Sequence, residues 1–289
     1  MSPEEKILTA LDNDGFVVVP GLIPPNLLEP LRESAKRAID RARDDSAVSW
    51  DHVRLVGKQF PPWPKRVRED VWGVQHIMKP EMNEHVFVSW YASEALIKIV
   101  KTILGCQEEE LQMELLGLLI NPTKTAFSLI WHRDTIPPET SDQDEKKLLQ
   151  APRVGTQWNT ALYADSCLMV VPGSHNRVRT HQERDITIHN PRDPLEGELR
   201  VDLQPGDTVF YDNNILHRGV YGTTPVRATL HGCIGTTGAG PERARNILQH
   251  DMNWVRDVQY TGRLERMRLN LIRMAESVGA DDLGYSLSG

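Results

Sequence analysis

Leu199-Arg200-Val201-Asp202-Leu203-Gln204-Pro205-Gly206-Asp207-Thr208-Val209-Phe210-Tyr211 decides how the middle of this 289-residue chain is read. Two short runs rich in β-formers flank Gln204-Pro205-Gly206, a turn signal in which proline fixes φ and glycine accepts positive φ. Working outward, runs of the same kind recur at Leu115–Ile120, Ser128–His132, Thr156–Tyr163, Leu168–Val171 and Arg227–Ile234. Short strands punctuated by turn residues predict a mainly β fold with flanking helices, its centre a sandwich or barrel.

The ends read differently. Leu27, Leu28, Leu31, Ala35, Ala38 and Ile39 recur at helical spacing after Pro24-Pro25, as do Leu96, Ile97, Val100, Ile103 and Leu104 between Ser93 and Gly105. Helix-like segments return around Glu242–Val258 and Arg263–Val278, placed to cover the barrel or a partner subunit in a homodimer. The expected organisation is one domain over 1–289: a helical N-terminal part (1–110), a β core (about 111–236) and C-terminal helices (about 240–280). Between Thr135 and Gly155 lies a polar stretch with three prolines, expected to be a long loop and, by its position, either a mobile lid or an inert surface insertion.

Composition narrows the function. Apolar residues make up 39% and charged residues 25%, an ordinary globular balance, and the net charge of −7 lacks the basic field that phosphate backbones require. Nucleic acid is therefore not an expected partner. The basic runs Arg37, Arg41, Arg43 and Lys65, Arg66, Arg68 are interleaved with acids and read as solvated surface. Cys106, Cys167 and Cys233 are odd in number and form no C-x-x-C pair, which suits a reducing compartment. The start lacks the basic and apolar regions of a signal peptide and no apolar run approaches a membrane span, so a cytoplasmic location and no membrane association are expected.

Trp131-His132-Arg133-Asp134 sets a histidine and a carboxylate two apart, and on a strand both side chains then face one way. Alone, H-x-D also describes a surface pair. A further imidazole, His217, follows the Asp207–Tyr211 run, and with it the three would make a two-histidine, one-carboxylate face that leaves positions open on iron. A hairpin centred on Tyr221-Gly222-Thr223-Thr224 would set Arg227 opposite His217, with Thr229 facing the same way. A buried arginine there suits a carboxylate such as the distal one of 2-oxoglutarate, with Thr229 as a second donor; a rim ion pair is the alternative.

Four stretches together resemble the phytanoyl-CoA dioxygenase-like branch of the Fe(II)/2-oxoglutarate-dependent dioxygenases: Trp131 to Asp134, Val170-Val171-Pro172-Gly173-Ser174-His175, Gly206-Asp207 to His217-Arg218-Gly219, and Arg227 ten residues after His217. The opening Asp14-Gly15-Phe16-Val17-Val18-Val19-Pro20-Gly21 is similar as well. The resemblance implies a double-stranded β-helix, the cupin-like jelly roll, with His132, Asp134 and His217 as both catalytic and metal residues and Arg227 on the co-substrate. Many members have Gln where this chain has Arg133. On the Thr156–Tyr163 strand, alternation turns either Gln157, Asn159 and Ala161 or Trp158, Thr160 and Leu162 inward; a polar row suits the co-substrate and favours the first. His175 and His231 read as structural or pocket-lining, and Trp72, Gln75 and His76 as edging a substrate site.

The implied function is oxidation of a small organic molecule with Fe(II), 2-oxoglutarate and O₂, by hydroxylation, desaturation or rearrangement. A secondary metabolite is the expected substrate. The alternatives are an acyl-CoA hydroxylase and a cupin-like dioxygenase that needs no 2-oxoglutarate.

Overall fold

The computed structural model describes residues 1–44, 49–61, 63 and 70–277, so Lys65, Arg66 and Arg68 lie outside the described residues. Helix α1 (Pro3–Asp14) and strand β1 (Phe16–Val19) precede α2 (Pro25–Arg43). Leu31, Ala35, Ala38 and Ala42 of α2 are buried at the spacing read from the sequence. Then come β2 (Val53–Leu55), β3 (Val71–Val74), α3 (His85–Tyr91) and α4 (Glu94–Leu104).

Eight strands follow: β4 (Leu111–Ile120), β5 (Phe127–Ser128), β6 (Gly155–Ala161), β7 (Leu168–Val170), β8 (Leu199–Arg200), β9 (Thr208–Tyr211), β10 (His217–Tyr221) and β11 (Ala228–Thr236). They sort into two sheets. One runs β9-β6-β11-β4 and the other β5-β10-β7-β8, with antiparallel pairing throughout. This alternation of successive strands between two sheets is the jelly roll expected from the resemblance. The larger sheet continues outward, with β1 beside β9 and the β3-β2 pair beyond β4. The N-terminal part is therefore not wholly helical: β1, β2 and β3 belong to the roll's main sheet.

Both faces of that sheet are covered, so its strands read as nearly continuous apolar runs. β4 begins four residues earlier than Leu115 because Gln112 and Glu114 hide the pattern; both are fully buried. Glu114 is held in a two-pronged pair by Arg243, at 2.6 and 2.7 Å. Trp158 of β6 points to the helix-covered face against Tyr91 and Phe210. It lies over Gly232 of β11, where an added Cβ would meet its ring at 2.5 Å. Helices α7 (Gly240–Gln249) and α8 (Gly262–Glu276) complete the chain, with α8 packed on β4 of its own sheet. Among the described residues no helix is long and apolar enough to cross a membrane.

Two expectations change. First, His217 and Arg227 do not face each other across a hairpin. The edges of β10 are taken by β5 and β7, so the chain crosses after Tyr221 to the other sheet, where β11 inserts between β4 and β6. Pro225, with no N–H to donate, suits this crossing and not a ladder. Second, the 135–155 segment is not a bare loop. It carries α5 (Asp142–Leu149), capped by Ser141, whose Glu145 is fully buried among Arg133, Arg179 and Arg184. A node of this kind ties the segment down. A second helix not foreseen within the β core, α6 (His181–His189), starts at a Thr180/Glu183 capping box beside the same node.

Candidate active site

Residues 129–135 enter the site as extended chain between β5 and α5. His132 and His217 exchange both backbone hydrogen bonds, 3.1 Å each way, and Asp134 N donates to Asn213 O at 2.8 Å. The alternation turns His132 and Asp134 toward a cavity and Trp131 and Arg133 away from it. Trp131 packs with Met169, Val171, Leu195 and Leu216. Arg133 is fully buried, its Nε on Glu145 at 2.9 Å and its Nη groups on the carbonyls of Ser174, Arg177 and Asn214. It therefore makes no contact with the cavity and serves the 135–155 segment.

Nε2 of each histidine lies 3.6 Å from Asp134 Oδ1. Both Nδ1 atoms sit 2.9 Å from backbone carbonyls, Ile130 O and Ile215 O, which accept a hydrogen bond from Nδ1–H and leave the lone pair on Nε2. Burial, reinforced by His217, holds His132 well below the ordinary imidazole range and keeps it neutral. Burial pushes Asp134 up, while His217 and hydrogen bonds from Gln157 and Asn213 pull the other way. Both amides donate to Oδ2, so Oδ1 is turned toward the imidazoles. Two imidazoles and an oriented carboxylate converging in this way fit a six-coordinate iron, whose donors at ordinary bond lengths stand about 3 Å apart.

The cavity has a volume of about 630 Å³ and is walled by both sheets. Arg227 enters from the larger sheet. Its Nε donates to Asp165 Oδ2 at 2.7 Å, and the Thr229 hydroxyl donates to the same oxygen. Burial disfavours its charge, but the Asp165 carboxylate beside it holds Arg227 above the ordinary guanidinium range. Arg227 Nη1 is buried without a partner, a donor left for an incoming acceptor. Thr229, spent on Asp165, lies behind Arg227 and does not line the cavity.

Gln157 and Asn159 face the cavity, and Trp158 faces the helices, so the first of the two alternation patterns holds. Their partners differ from the expected co-substrate contacts. Gln157 steadies Asp134, and Asn159 Oδ1 lies 2.9 Å from His231 Nδ1. Burial and the nearby Arg54 push His231 down to about 3, so it stays neutral. Trp72 lines the cavity, whereas Gln75 and His76 do not; His76 packs edge-on against His52 in a left-handed backbone conformation, φ 55°. His175 is buried in the turn after β7. Cys167 lines the cavity as a thiol, pushed up to about 11 by burial. Asp165 and Arg54 had no signal in the sequence: one is an acid in the link between β6 and β7, bridged to Leu203, the other a lone charge in a three-residue strand.

A sequence profile of the family described as phytanoyl-CoA dioxygenase (PhyH) matches residues 11–225, a span that includes His132, Asp134 and His217 and stops short of Arg227. Solved structures show the same fold at low identity. AviO1 from Streptomyces viridochromogenes Tue57 is 19% identical over 81% of this chain and 96% of its own, with a TM-score of 0.56. EctD from S. alaskensis, solved with 2-oxoglutarate and 5-hydroxyectoine, is 19% identical over 82% of this chain and 77% of its own, with a TM-score of 0.57. SnoN, a non-haem α-ketoglutarate-dependent epimerase from nogalamycin biosynthesis, is 16% identical over 81% of each chain, at 0.55. No curated protein matches the chain by sequence. With most of its length inside the family profile and a jelly roll around it, the chain belongs to the phytanoyl-CoA dioxygenase family of Fe(II)- and 2-oxoglutarate-dependent non-haem enzymes.

Proposed function

We propose that His132, Asp134 and His217 hold the iron, that Arg227 grips the distal carboxylate of 2-oxoglutarate, and that the protein oxidises a small secondary metabolite in the shared cavity. The observation that carries this reading is the convergence of His132 Nε2, His217 Nε2 and Asp134 Oδ1 in one cavity with the unpartnered Nη1 of Arg227. With iron and O₂ bound, oxidative decarboxylation of the co-substrate to succinate and CO₂ furnishes the oxidising equivalent.

This chain's residues do the positioning. The carbonyls of Ile130 and Ile215 set both imidazole tautomers, and Gln157 and Asn213 aim the carboxylate. Asp165, itself steadied by the Thr229 hydroxyl, holds the Arg227 guanidinium at its Nε side, leaving the Nη side to a ligand. Apolar walls from Leu115, Leu119, Leu168 and Tyr221 exclude water from the reacting end.

A metabolite suits the cavity better than an acyl-CoA, whose several phosphates need a cluster of unpaired cations; among the described lining residues Arg227 and Arg243 are neutralised by Asp165 and Glu114, which leaves Arg54 alone. The test is an anaerobic titration of 2-oxoglutarate into the Fe(II) protein, followed by the metal-to-ligand charge-transfer absorption expected of the chelate. Its appearance with the parent, and its loss with His132→Ala or His217→Ala, supports the reading. Equal spectra from parent and variants would remove it.

A further inference from the structure

Arg54, half-buried, differs from the other arginines that reach into the interior of this protein. Arg133, Arg227 and Arg243 each have a carboxylate within 2.9 Å, on Glu145, Asp165 and Glu114. Among the described residues Arg54 has none, although it lines the same cavity as the three metal-site side chains. Val53 and Leu55 on either side of it in β2 are buried in the hydrophobic core, so alternation turns Arg54 to the cavity face.

Its seat is built. The guanidinium carbon lies 5.0 Å from the ring centroid of Trp63 and 5.3 Å from that of Trp72. Trp72 is fixed by its own Nε1, which donates to Leu55 O at 2.8 Å. Directly across the ladder is Gly73, and a Cβ there would come within 2.9 Å of the Arg54 stem, so the absent side chain makes the groove in which that stem lies. Trp63 Nε1, beside the guanidinium, is itself buried without a partner. Burial pushes Arg54 below the ordinary guanidinium range, and the more distant Tyr221, Tyr211 and Asp134 do not offset it.

Unpaired cations are costly to desolvate, and rings stacked on a guanidinium face leave its edge open for in-plane acceptors. We infer that Arg54, with the Trp63 indole N–H, recognises a carboxylate on the primary substrate, and that the substrate's apolar body lies along Phe60, Trp72 and Tyr221 toward the metal site. The inference rests on the reading of this cavity as the active site and adds the substrate class, an apolar or aromatic carboxylic acid. Arg54 is then a specificity residue and Arg227 the co-substrate residue.

The test compares 4-phenylbutyrate with its neutral amide, 4-phenylbutyramide, binding to the metal-free protein, read by the tryptophan fluorescence of the cavity wall. The parent binds the acid about tenfold or more tightly than the amide, and the preference disappears in Arg54→Gln but survives in Arg227→Gln. Arg54→Lys, which keeps charge without the planar fork, retains part of it and covers the case in which Arg54→Gln does not fold. Equal binding of acid and amide by the parent, binding of neither, or a preference that survives in Arg54→Gln or Arg54→Lys undiminished would overturn the inference. So would an Arg54→Gln protein that loses 2-oxoglutarate affinity as Arg227→Gln does, since Arg54 would then serve the co-substrate. Because the probe needs no metal, a failed iron and 2-oxoglutarate titration would remove the proposed function while leaving the acid preference standing.

Discussion

Arg227 and Asp165 form an ion pair of 2.7 Å with each side chain only 5% exposed, so the arginine proposed for the co-substrate is already half engaged before any ligand arrives. The pair fixes where the guanidinium points. Removing either partner strands a buried charge, which typically costs about 3–5 kcal/mol of folding stability.

The two partners should nevertheless fail differently. Arg227→Lys keeps the charge and loses the fork, so 2-oxoglutarate affinity is expected to fall while iron binding persists; Arg227→Ala should lose roughly thirtyfold or more. Asp165→Asn keeps the shape and the arginine, and its main effect should be on stability. Anaerobic titration and urea unfolding of the same preparations separate these outcomes. An Arg227→Ala protein that binds 2-oxoglutarate like the parent would place the anchor elsewhere.

At the proposed metal site, Asp134→Ala should abolish turnover and weaken Fe(II) binding with the fold retained, since Gln157 and Asn213 meet its Oδ2 within the cavity. Gln157→Ala removes one of the two amides that steady Oδ2, and losing such a partner typically lowers metal affinity or activity by about 10–100-fold. Equilibrium dialysis with Fe(II) measures both. A Gln157→Ala protein indistinguishable from the parent would show that Asn213 suffices.

The segment from Thr135 to Gly155 should resist proteases. Glu145, 0% exposed, anchors α5 to three arginines, and Glu145→Gln should cost several kcal/mol, on the order of a broken buried ion pair. Limited trypsin digestion of parent and variant gives the answer, with Lys146 and Lys147 as the scissile candidates. Rapid cleavage of the parent there would restore the mobile-lid expectation.

Acid should weaken the fold before its carboxylates titrate. Burial, with Arg54 adding to it, lowers His231 to about 3 and His250 to about 4, while the unfolded chain protonates near 6.5. Below that value the unfolded state holds more protons, so stability present at neutral pH is lost as pH falls from 6.5 toward 4. Each group contributes up to about 1.4 kcal/mol per pH unit in that window. Urea midpoints across the range, for the parent and for His231→Gln, should show the variant losing one histidine's share of a slope to which the depressed His76, His132 and His250 also contribute. A slope equal to the parent's would mean that His231 titrates alike in both states.

Periodicity made the strands and the two main flanking helices visible, because a half-buried element must repeat its apolar residues at the period of its geometry. His132 and Asp134 were legible for a local reason, a two-residue step on extended chain. Long-range pairing left no such trace. The sequence offered a hairpin for His217 and Arg227, yet the free edges of β10 had gone to Phe127–Ser128 and Leu168–Val170, segments far away along the chain. Asp165 and Glu145 looked like surface acids because nothing local distinguishes a carboxylate that meets a buried arginine from one that meets water. Arg54 was hidden by its brevity, one residue in a strand of three.

Strands β2 and β3 stand outside the eight-strand roll, at the end of the larger sheet beyond β4, yet Arg54 and Trp72 on them form one wall of the cavity. Inheritance can therefore act on two separate stretches of gene. An appendage at the sheet margin can be redrawn to accept a new molecule while the stretch carrying the proposed iron donors drifts little. A library randomised only at Arg54, Trp63 and Trp72 would sample new preferences on unaltered oxidative machinery, and its inactive members would report on recognition, not on chemistry.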